Sequence, residues 1–508
     1  MKKNRIVLIL LAYAMVLTMD AQVPGSLDSS FGVNGTVLHP MAARLYYPGI
    51  ASSAVQKDGK ILALVGGYAD FMAGRPDAYT IYRYEQDGSY DPGFNGTGSH
   101  TVPLSNPKLV LQADGKMILA GQEGEEIMLM RFLPNGRIDS NYGNFGMIHT
   151  GLFTPLSSAL LQTDGKILIC GNAYAGSKLF VLRLNADGSR DFAFGDKGLA
   201  FVSMNAAYQQ AISMALQDDG KILLAGYINK NNLYYTALAR LDTKGQPDSS
   251  FNHNGQQTIS LPGFFVNSVL VQGDQKILLG GTYYFNNYAN TGLGLARLKS
   301  DGSPDSSFGS KGVKTTNFGT SNDVFIDMLW QWDGRILVSG RSTTKFAMAR
   351  FMPNGSFDVS FNANGKQTTS FGATYSSSAS KIILRGNKIL LFGLTIIDDT
   401  THAFSMARYH LGFNSGIAGL SKDRQLKLYP NPSTDACNLV YALPQEETVH
   451  ISLLDMAGRT VRTFIHAEAR NEGQQHEFIQ LGEDIPAGCY ILQVSTARET
   501  MQIRLMKQ

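Results

Sequence analysis

Short apolar runs alternate with polar turns along most of the chain, and this pattern repeats. The stretch SALLQTDGKILIC, which begins at Ser158, shows it: an apolar run, an Asp-Gly pair and a second apolar run. Asp-Gly at that place predicts a two-residue hairpin turn with positive φ at both positions, between strands buried on both faces. The region lacks the 3.6-residue period of an amphipathic helix. The pattern therefore predicts an all-β fold of short antiparallel strands.

A second motif follows each hairpin, as in ARLDTKGQPDSSF from Ala239: an apolar strand with an arginine, a glycine turn and then Asp-x-x-Phe. Both motifs occur seven times, at a period of 48 to 59 residues. A more polar run after the phenylalanine completes four strands in each repeat. Seven four-stranded repeats of this length predict a seven-bladed β-propeller. An open solenoid is the alternative architecture.

The first and last repeats are incomplete in complementary ways. In six repeats an aspartate follows the arginine by eight residues, whereas Arg408 has Gly416 at that spacing, and the first motif (Asp28 to Phe31) has no arginine before it. We therefore expect Leu27 to Val37 to supply the outer strand of the last blade and close the ring. The predicted pairs are Arg83/Asp91, Arg131/Asp139, Arg183/Asp191, Arg240/Asp248, Arg297/Asp305, Arg350/Asp358 and Arg408/Asp28.

These pairs are predicted to be structural. A catalytic group is needed once or twice, but this pair recurs in almost every blade. An arginine and an aspartate placed in this way predict a charge-assisted hydrogen bond, or an aspartate that caps its own turn. The aromatic residue three positions after the aspartate is predicted to pack between blades.

The two ends of the chain differ from the repeats. A basic start and an apolar run from Ile6 to Met19, too short to span a membrane, predict a signal peptide over residues 1–21. An anchored first helix is the alternative. The propeller is predicted over residues 22–414, a linker over 415–425, and a small Ig-like β-sandwich over 426–508, where period-2 runs such as VHISLLD appear.

Composition excludes several classes of function. The net charge of +3 falls to about +1 without the signal peptide, so a nucleic-acid partner is not expected. No second segment is apolar enough to span a membrane, and the nine histidines show no metal-ligand spacing, so no cofactor is predicted. We expect a monomer. Of the three cysteines, Cys170 fits core packing, and a disulfide between Cys437 and Cys489 is left open.

Aromatic residues concentrate in the loops between the second and third strands, the segments whose length varies most. Those loops share one face of a propeller with the connectors between blades, and aromatic rings beside amides suit sugar or peptide binding. Packing of the loops by these rings is the alternative role. The candidate ligand-binding residues are Tyr227, Tyr234, Tyr235, Tyr283, Tyr284 and Tyr288. The connectors add Tyr46, Tyr47, Tyr208, Phe264, Phe265 and Tyr375.

Two parts of the chain resemble known families. The motifs YPNP (from Tyr429), LLDMAGR (from Leu453) and AGCYILQV (from Ala487) resemble the C-terminal sorting domain of Bacteroidetes type IX secretion cargo. The QxDGKIL and GxxDxxFGxxG units resemble delta-60 repeats of secreted bacterial proteins, which have no assigned chemistry. The resemblance implies export, contact with the type IX machinery and removal of the sorting domain at the cell surface.

Together these observations predict a secreted or surface-bound propeller that binds a glycan or a protein ligand. A propeller hydrolase or lyase acting on polysaccharide is the alternative. Carboxylates converging on the central opening would favour the enzyme, and an uncharged aromatic face would favour the binding protein.

Overall fold

The apolar runs of each repeat form antiparallel hairpins in the computed structural model of the chain. The runs are rich in Ile, Leu and Val, which suit strands covered on both faces. The structure describes residues 23–41, 46–70, 75–173, 176–231, 233–259, 261, 263–286, 289–331, 334–372, 375–385, 388–398, 401–412, 426–429, 433–455, 459–482, 484–498 and 500–507. The signal peptide predicted over residues 1–21 lies outside these ranges.

Seven four-stranded antiparallel sheets follow one another along the first unit of the chain, and each is one blade. The first strands are β2 (Tyr46–Val55), β6 (Ser105–Leu111), β10 (Leu156–Leu161), β14 (Tyr208–Leu216), β18 (Phe264–Val271), β22 (Asp323–Trp330) and β26 (Ser376–Arg385). The second strands are β3 (Ile61–Asp70), β7 (Met117–Glu123), β11 (Ile167–Ala173), β15 (Ile222–Lys230), β19 (Ile277–Phe285), β23 (Ile336–Ser342) and β27 (Lys388–Ile396).

The outer half of each blade is a third strand followed by a fourth, which is the shorter of the two in every blade except the second. The third strands are β4 (Arg75–Tyr84), β8 (Glu126–Phe132), β12 (Lys178–Leu184), β16 (Leu233–Leu241), β20 (Asn290–Leu298), β24 (Lys345–Phe351) and β28 (His402–His410). The fourth strands are β5 (Ser99–Val102), β9 (Met147–Phe153), β13 (Leu199–Val202), β17 (Gln256–Ile259), β21 (Val313–Thr316), β25 (Lys366–Thr369) and β1 (Thr36–Pro40). One 3-10 turn, Phe94–Gly96, precedes β5.

The blades form a closed ring. The first strand of every blade contacts the first strand of the next, and the contact between β26 and β2 completes the circle. Seven clusters of buried apolar side chains fill the spaces between neighbouring blades, including the space between the seventh blade and the first. The prediction of a seven-bladed propeller is confirmed.

The N-terminal segment completes the seventh blade, as predicted, but its strand begins later than expected. The paired strand is β1, in which Thr36 faces Ala407 and Pro40 faces Ala403 of β28. Upstream of it, a single bridge joins Leu27 to Tyr409. The intervening residues form the turn that carries the Asp-x-x-Phe motif.

Residues from the two ends of the propeller segment also form one turn together. Gly25 N–H donates to the carbonyl of His410 (2.7 Å), just as Gly88 N–H donates to Glu85 in the unbroken turn of the first blade (3.0 Å). Gly25 has a φ of +86°, and a Cβ on it would lie 2.9 Å from the ring of Phe361. Glycine is therefore required where the aromatic ring of the preceding blade packs on this turn.

The turn between the first and second strands differs from the predicted two-residue turn. Gly59 N–H donates to the carbonyl of Gln56, and Gln56 N–H donates to the carbonyl of Lys60, both at 2.9 Å, so three residues loop out. Gly59 has a φ of +93°, and Asp58 is not among the residues with positive φ. The Asp58 side chain instead accepts a hydrogen bond from Lys60 N–H (3.1 Å). This geometry is a type I turn followed by a glycine bulge.

Residues 413–508 form a second unit. It contains two sheets, whose apolar faces share one core, as expected for a small β-sandwich. The three-stranded sheet is β29 (Lys427–Tyr429), β30 (Ala436–Leu443) and β33 (Gly473–Gln480). The four-stranded sheet is β32 (Thr460–Arg470), β31 (Glu447–Leu454), β34 (Gly488–Ser495) and β35 (Thr500–Lys507). Cys437 and Cys489 are free thiols, as is Cys170.

Within the described ranges, no helix has both the length and the apolar character needed to cross a bilayer.

Candidate functional site

The predicted arginine–aspartate pairs are in contact in all seven blades. Arginine Nε donates to aspartate Oδ2 at 2.6 to 2.9 Å in every pair. Each guanidinium also lies 4.1 to 4.8 Å from the ring centre of the aromatic residue in the same motif. The arginine is thereby held between a carboxylate and an aromatic face.

These arginines connect neighbouring blades. In six pairs a second guanidinium nitrogen donates to a backbone carbonyl in the third-to-fourth-strand turn of the next blade. Arg83 reaches Pro134 (2.6 Å), and Arg183 reaches Thr243 (2.7 Å). The pair therefore stabilises the contact between blades, which explains its repetition around the ring.

A second cation approaches each of these aspartates. The basic residue after the hairpin turn lies 2.7 to 3.6 Å from the same carboxylate oxygen in every blade. Burial alone would raise the pKa of Asp305, but hydrogen bonds from Ser307 and the charges of Arg297 and Lys276 lower that pKa to about 2. The carboxylate is thus ionised and engaged at neutral pH.

The seventh pair joins the two ends of the propeller and has an additional partner. Asp28 accepts hydrogen bonds from Arg408 and Lys388, both at 2.7 Å. Burial would raise the pKa of Asp28, but hydrogen bonds from Lys388, Ser30 and Arg408 hold that pKa well below its usual range. His410 lies beside this cluster, with Nδ1 3.0 Å from Lys388 Nζ and Nε2 3.8 Å from Asp28 Oδ1.

His410 is expected to make closure of the ring sensitive to acid. Burial, followed by the charges of Lys388 and Arg408, lowers the pKa of His410 below 6.5, and Asp28 opposes this only in part. The folded state therefore favours the neutral ring. This contribution to stability is complete above pH 6.5, the unfolded value, and is lost as the pH falls through the folded pKa.

The test compares melting temperatures at about pH 7.5 and pH 5. We expect acidification to destabilise the natural chain more than His410→Gln. His149→Gln is the matched control, because the side chain of His149 is 54% exposed and lies on the second blade. An equal loss in the natural chain and His410→Gln would contradict the role of His410.

Four aromatic rings meet between the fourth and fifth blades, on the face that carries the second-to-third-strand loops. We call Tyr227, Tyr234, Phe265 and Tyr284 the aromatic platform. The ring centre of Phe265 lies 6.2 Å from Tyr227, 6.2 Å from Tyr234 and 5.4 Å from Tyr284, and Tyr227 lies 5.7 Å from Tyr234. Tyr234 is 48% exposed, and the other three rings are half-buried.

A glutamine supports one end of the platform. Gln210 Oε1 accepts hydrogen bonds from the hydroxyls of Tyr227 and, at 3.3 Å, Tyr208. Burial, with the neighbouring tyrosines, raises the pKa of Tyr227, so its hydroxyl remains protonated. The four platform side chains carry no formal charge at neutral pH. Neighbouring rings are inclined to each other by 45° to 80°, so an exposed ring such as that of Tyr234 can stack against a flat apolar surface while the other rings offer edges and hydroxyl groups.

Sequence-family comparison assigns both units of the chain. The β-propeller described as domain of unknown function DUF5122 matches residues 56–94, 112–142, 162–194, 217–251, 272–308 and 331–361. The secretion system C-terminal sorting domain matches residues 427–508. The chain carries DUF5122 propeller repeats and a type IX sorting domain. The six DUF5122 matches fall in the first six blades, and the seventh blade, built from both ends of the propeller, lies outside them.

Solved structures similar to this chain have low sequence identity and low TM-scores. A polysaccharide lyase is 11% identical and covers 71% of this chain and 90% of its own, with a TM-score of 0.41. The β-propeller domain of the Trilobed protease from Pyrococcus furiosus is 10% identical (75% and 98% covered, TM-score 0.41). An endo-arabinase from Bacteroides thetaiotaomicron is 12% identical (51% and 94% covered, TM-score 0.32). No curated protein sequence matches. These similarities carry no inference about ligand or activity.

The DUF5122 propeller brings together only some of the predicted ligand-binding residues. Tyr227, Tyr234 and Tyr284 lie in the platform. Tyr235 packs against the core between the third and fourth blades, and Tyr283 packs against the core between the fourth and fifth. Tyr288 lies outside the described residues. Phe265, the central ring of the platform, was predicted only as an aromatic residue in a connector between blades. Its place in the platform is seen from the three rings that contact it in the structure.

The first strands, which surround the central opening, carry two carboxylates among the described residues, Asp323 and Asp327. Asp323 is buried and accepts hydrogen bonds from Phe318 N–H and the Thr320 hydroxyl, both at 2.5 Å. Asp327 pairs with Lys381 at 3.0 Å. Both carboxylates therefore hold neighbouring segments of the DUF5122 ring in place. The described residues also contain no group of three or more potential metal ligands.

Proposed function

We propose that the exported propeller binds a glycan by stacking sugar rings on the aromatic platform. The observation that carries this proposal is the continuous contact of four aromatic rings across two blades, with Tyr234 half exposed at its edge. A pyranose presents a flat face of C–H groups, which packs well on such rings. The tyrosine hydroxyls and the Gln210 amide can exchange hydrogen bonds with sugar hydroxyls.

The alternative, a polysaccharide-degrading enzyme, receives less support. Glycoside hydrolysis ordinarily requires two carboxylates that face one substrate bond. The two carboxylates on the described first strands, Asp323 and Asp327, lie four residues apart on one strand and already serve other partners. Binding without bond cleavage is therefore the better-supported function.

The sorting domain marks the protein for export to the cell surface or beyond and for contact with the type IX machinery. We propose further that removal of residues 1–21 and of the sorting domain leaves a monomeric propeller, from Gln22 to about Asn414, at the outer surface. A binding protein at the outer cell surface is exposed to polysaccharides in the medium and on neighbouring cells.

Removing two rings from the platform is expected to weaken glycan binding without unfolding the protein. Each aromatic contact is worth about 0.5–1.5 kcal/mol beyond the area it buries. Tyr234→Ala with Tyr284→Ala should therefore raise the Kd by about five- to 150-fold. Binding of the mature chain to a panel of soluble polysaccharides, measured by affinity electrophoresis and calorimetry, checks this expectation.

Phe192→Ala is the matched control, because Phe192 is an aromatic residue 72% exposed on the third blade, outside the platform. It should leave the Kd unchanged. If the double variant loses stability while its affinity stays intact, the platform only packs the loops. If it binds as tightly as the natural chain and is equally stable, the ligand binds elsewhere.

A further inference from the structure

A groove of about 810 Å³ runs along the outer strand of the fifth blade, β21, and reaches a turn of the sixth blade. Its apolar floor includes Leu261 and Tyr283, and its polar wall includes Lys311 and Lys314. None of the residues that line it is acidic. The groove therefore combines a surface suited to a sugar ring with two lysines that no acidic lining residue neutralises.

The two lysines are presented by well-defined structure. Lys311 occupies the motif turn with a φ of +52°, next to a glycine whose φ is +89°. Lys314 extends from β21, with its ammonium 5.9 Å from the ring centre of Phe357. Lys366 of the sixth blade lies 4.7 Å from the same ring, which adds a third positive charge nearby. An anion in the groove would meet Lys311 and Lys314 of the fifth blade, whereas Lys366 does not line the groove.

The third blade shows that this arrangement is not a general property of the repeat. Its turn reads FGDKG where the fifth blade reads FGSKG, so Asp196 stands beside Lys197 where Ser310 stands beside Lys311. In the third blade a carboxylate therefore stands next to the lysine in sequence. The fifth blade has a neutral serine in its place, which favours an anionic ligand at that turn.

The groove begins next to the aromatic platform. Tyr283 and Tyr284 are consecutive residues of β19, and successive side chains of a strand point to opposite faces. Tyr284 belongs to the platform, and Tyr283 lines the groove. The platform and the Tyr283 side of the groove therefore lie on the two faces of β19, and the lysines lie two strands away, in the motif turn and on β21.

We infer that the preferred ligand is an anionic glycan, whose carboxylate or sulfate groups are received by Lys311 and Lys314 while neighbouring sugar rings stack on the platform. This inference rests on the proposed glycan-binding function and adds to it the charge of the ligand. Carboxylate and sulfate share the chemistry that a pair of ammonium groups recognises, namely oxygen anions that accept charge-assisted hydrogen bonds.

The test uses two matched pairs of polysaccharides: polygalacturonate with its fully methyl-esterified form, and dextran sulfate with dextran. The mature chain is expected to bind at least one charged member more tightly than its uncharged counterpart, with an affinity that falls as salt rises. The double variant Lys311→Gln with Lys314→Gln should lose this preference. Each substitution is expected to raise the Kd for the charged polysaccharide by about fivefold at low ionic strength. The pair that shows the preference distinguishes carboxylate from sulfate.

Lys197→Gln with Lys244→Gln is the matched control, because Lys197 occupies the position of Lys311 in the motif turn of the third blade and Lys244 occupies the position of Asn354 in the facing turn of the fourth blade. It should leave the preference unchanged. Equal binding of charged and uncharged members, or equal loss in both lysine variants, would overturn the anionic assignment and leave the platform proposal standing. If only the Lys311 and Lys314 variant loses the preference and the platform variants have no effect, anion binding in the groove is supported and sugar stacking on the platform is refuted.

Discussion

A mature chain that begins at Val37 is expected to lose at least about 5 kcal/mol of its free energy of unfolding. The deletion removes Phe31, which is fully buried between the seventh and first blades. It also removes the buried Asp28, so the partly buried cations of Arg408 and Lys388 lose their shared carboxylate. Deleting a buried phenylalanine costs about 3–5 kcal/mol, and removing the carboxylate of a partly buried ion pair adds to this loss.

Thermal and chemical unfolding of the two chains measures this loss. A chain that begins at Gln22 is the reference, and Phe31→Ala in that chain should account for about 3–5 kcal/mol by itself. Asp28→Asn tests the ion pair, and Asp196→Asn on the exposed turn of the third blade is its matched control. If the chain from Val37 melted at the same temperature as the chain from Gln22, closure of the ring by the N-terminal segment would not stabilise the propeller as proposed.

Deletion of Leu426 to Gln508 is expected to abolish delivery of the propeller to the cell surface in a host that has the type IX machinery. The sorting domain matches residues 427–508. The propeller has its own closed set of interblade cores and ends at Gly412, so it should remain folded and accumulate in the periplasm.

Surface protease accessibility and cell fractionation report the location, and the melting temperature of the purified propeller reports the fold. The full-length chain with Tyr234→Ala and Tyr284→Ala is the control, because it changes the ligand face and leaves the sorting domain intact. Normal amounts of the deleted protein at the cell surface would contradict the sorting role of this domain.

Much of the architecture follows from the sequence because each repeat encodes its own turns. The Asp-Gly hairpins and the Asp-x-x-Phe turns are local structures, so their number and order predict seven four-stranded blades. Closure was predictable as well, since Arg408 lacks an aspartate and Asp28 lacks an arginine, and the structure joins them at 2.7 Å. The hairpin turn type was predicted wrongly, because Asp58 uses its side chain as an acceptor and only Gly59 adopts a positive φ.

The composition of the candidate site was decided by tertiary structure alone. The tyrosine-rich loops indicated the right blades, but consecutive tyrosines of β19 point to opposite faces, so Tyr284 joins the platform and Tyr283 does not. A bulge between Val266 and Ser268 shifts the register of β18 just after Phe265. Which rings meet depends on that shift and on the packing of two blades whose residues are distant in sequence. Local patterns determine strands and turns, whereas contacts between blade faces arise only once the ring has closed.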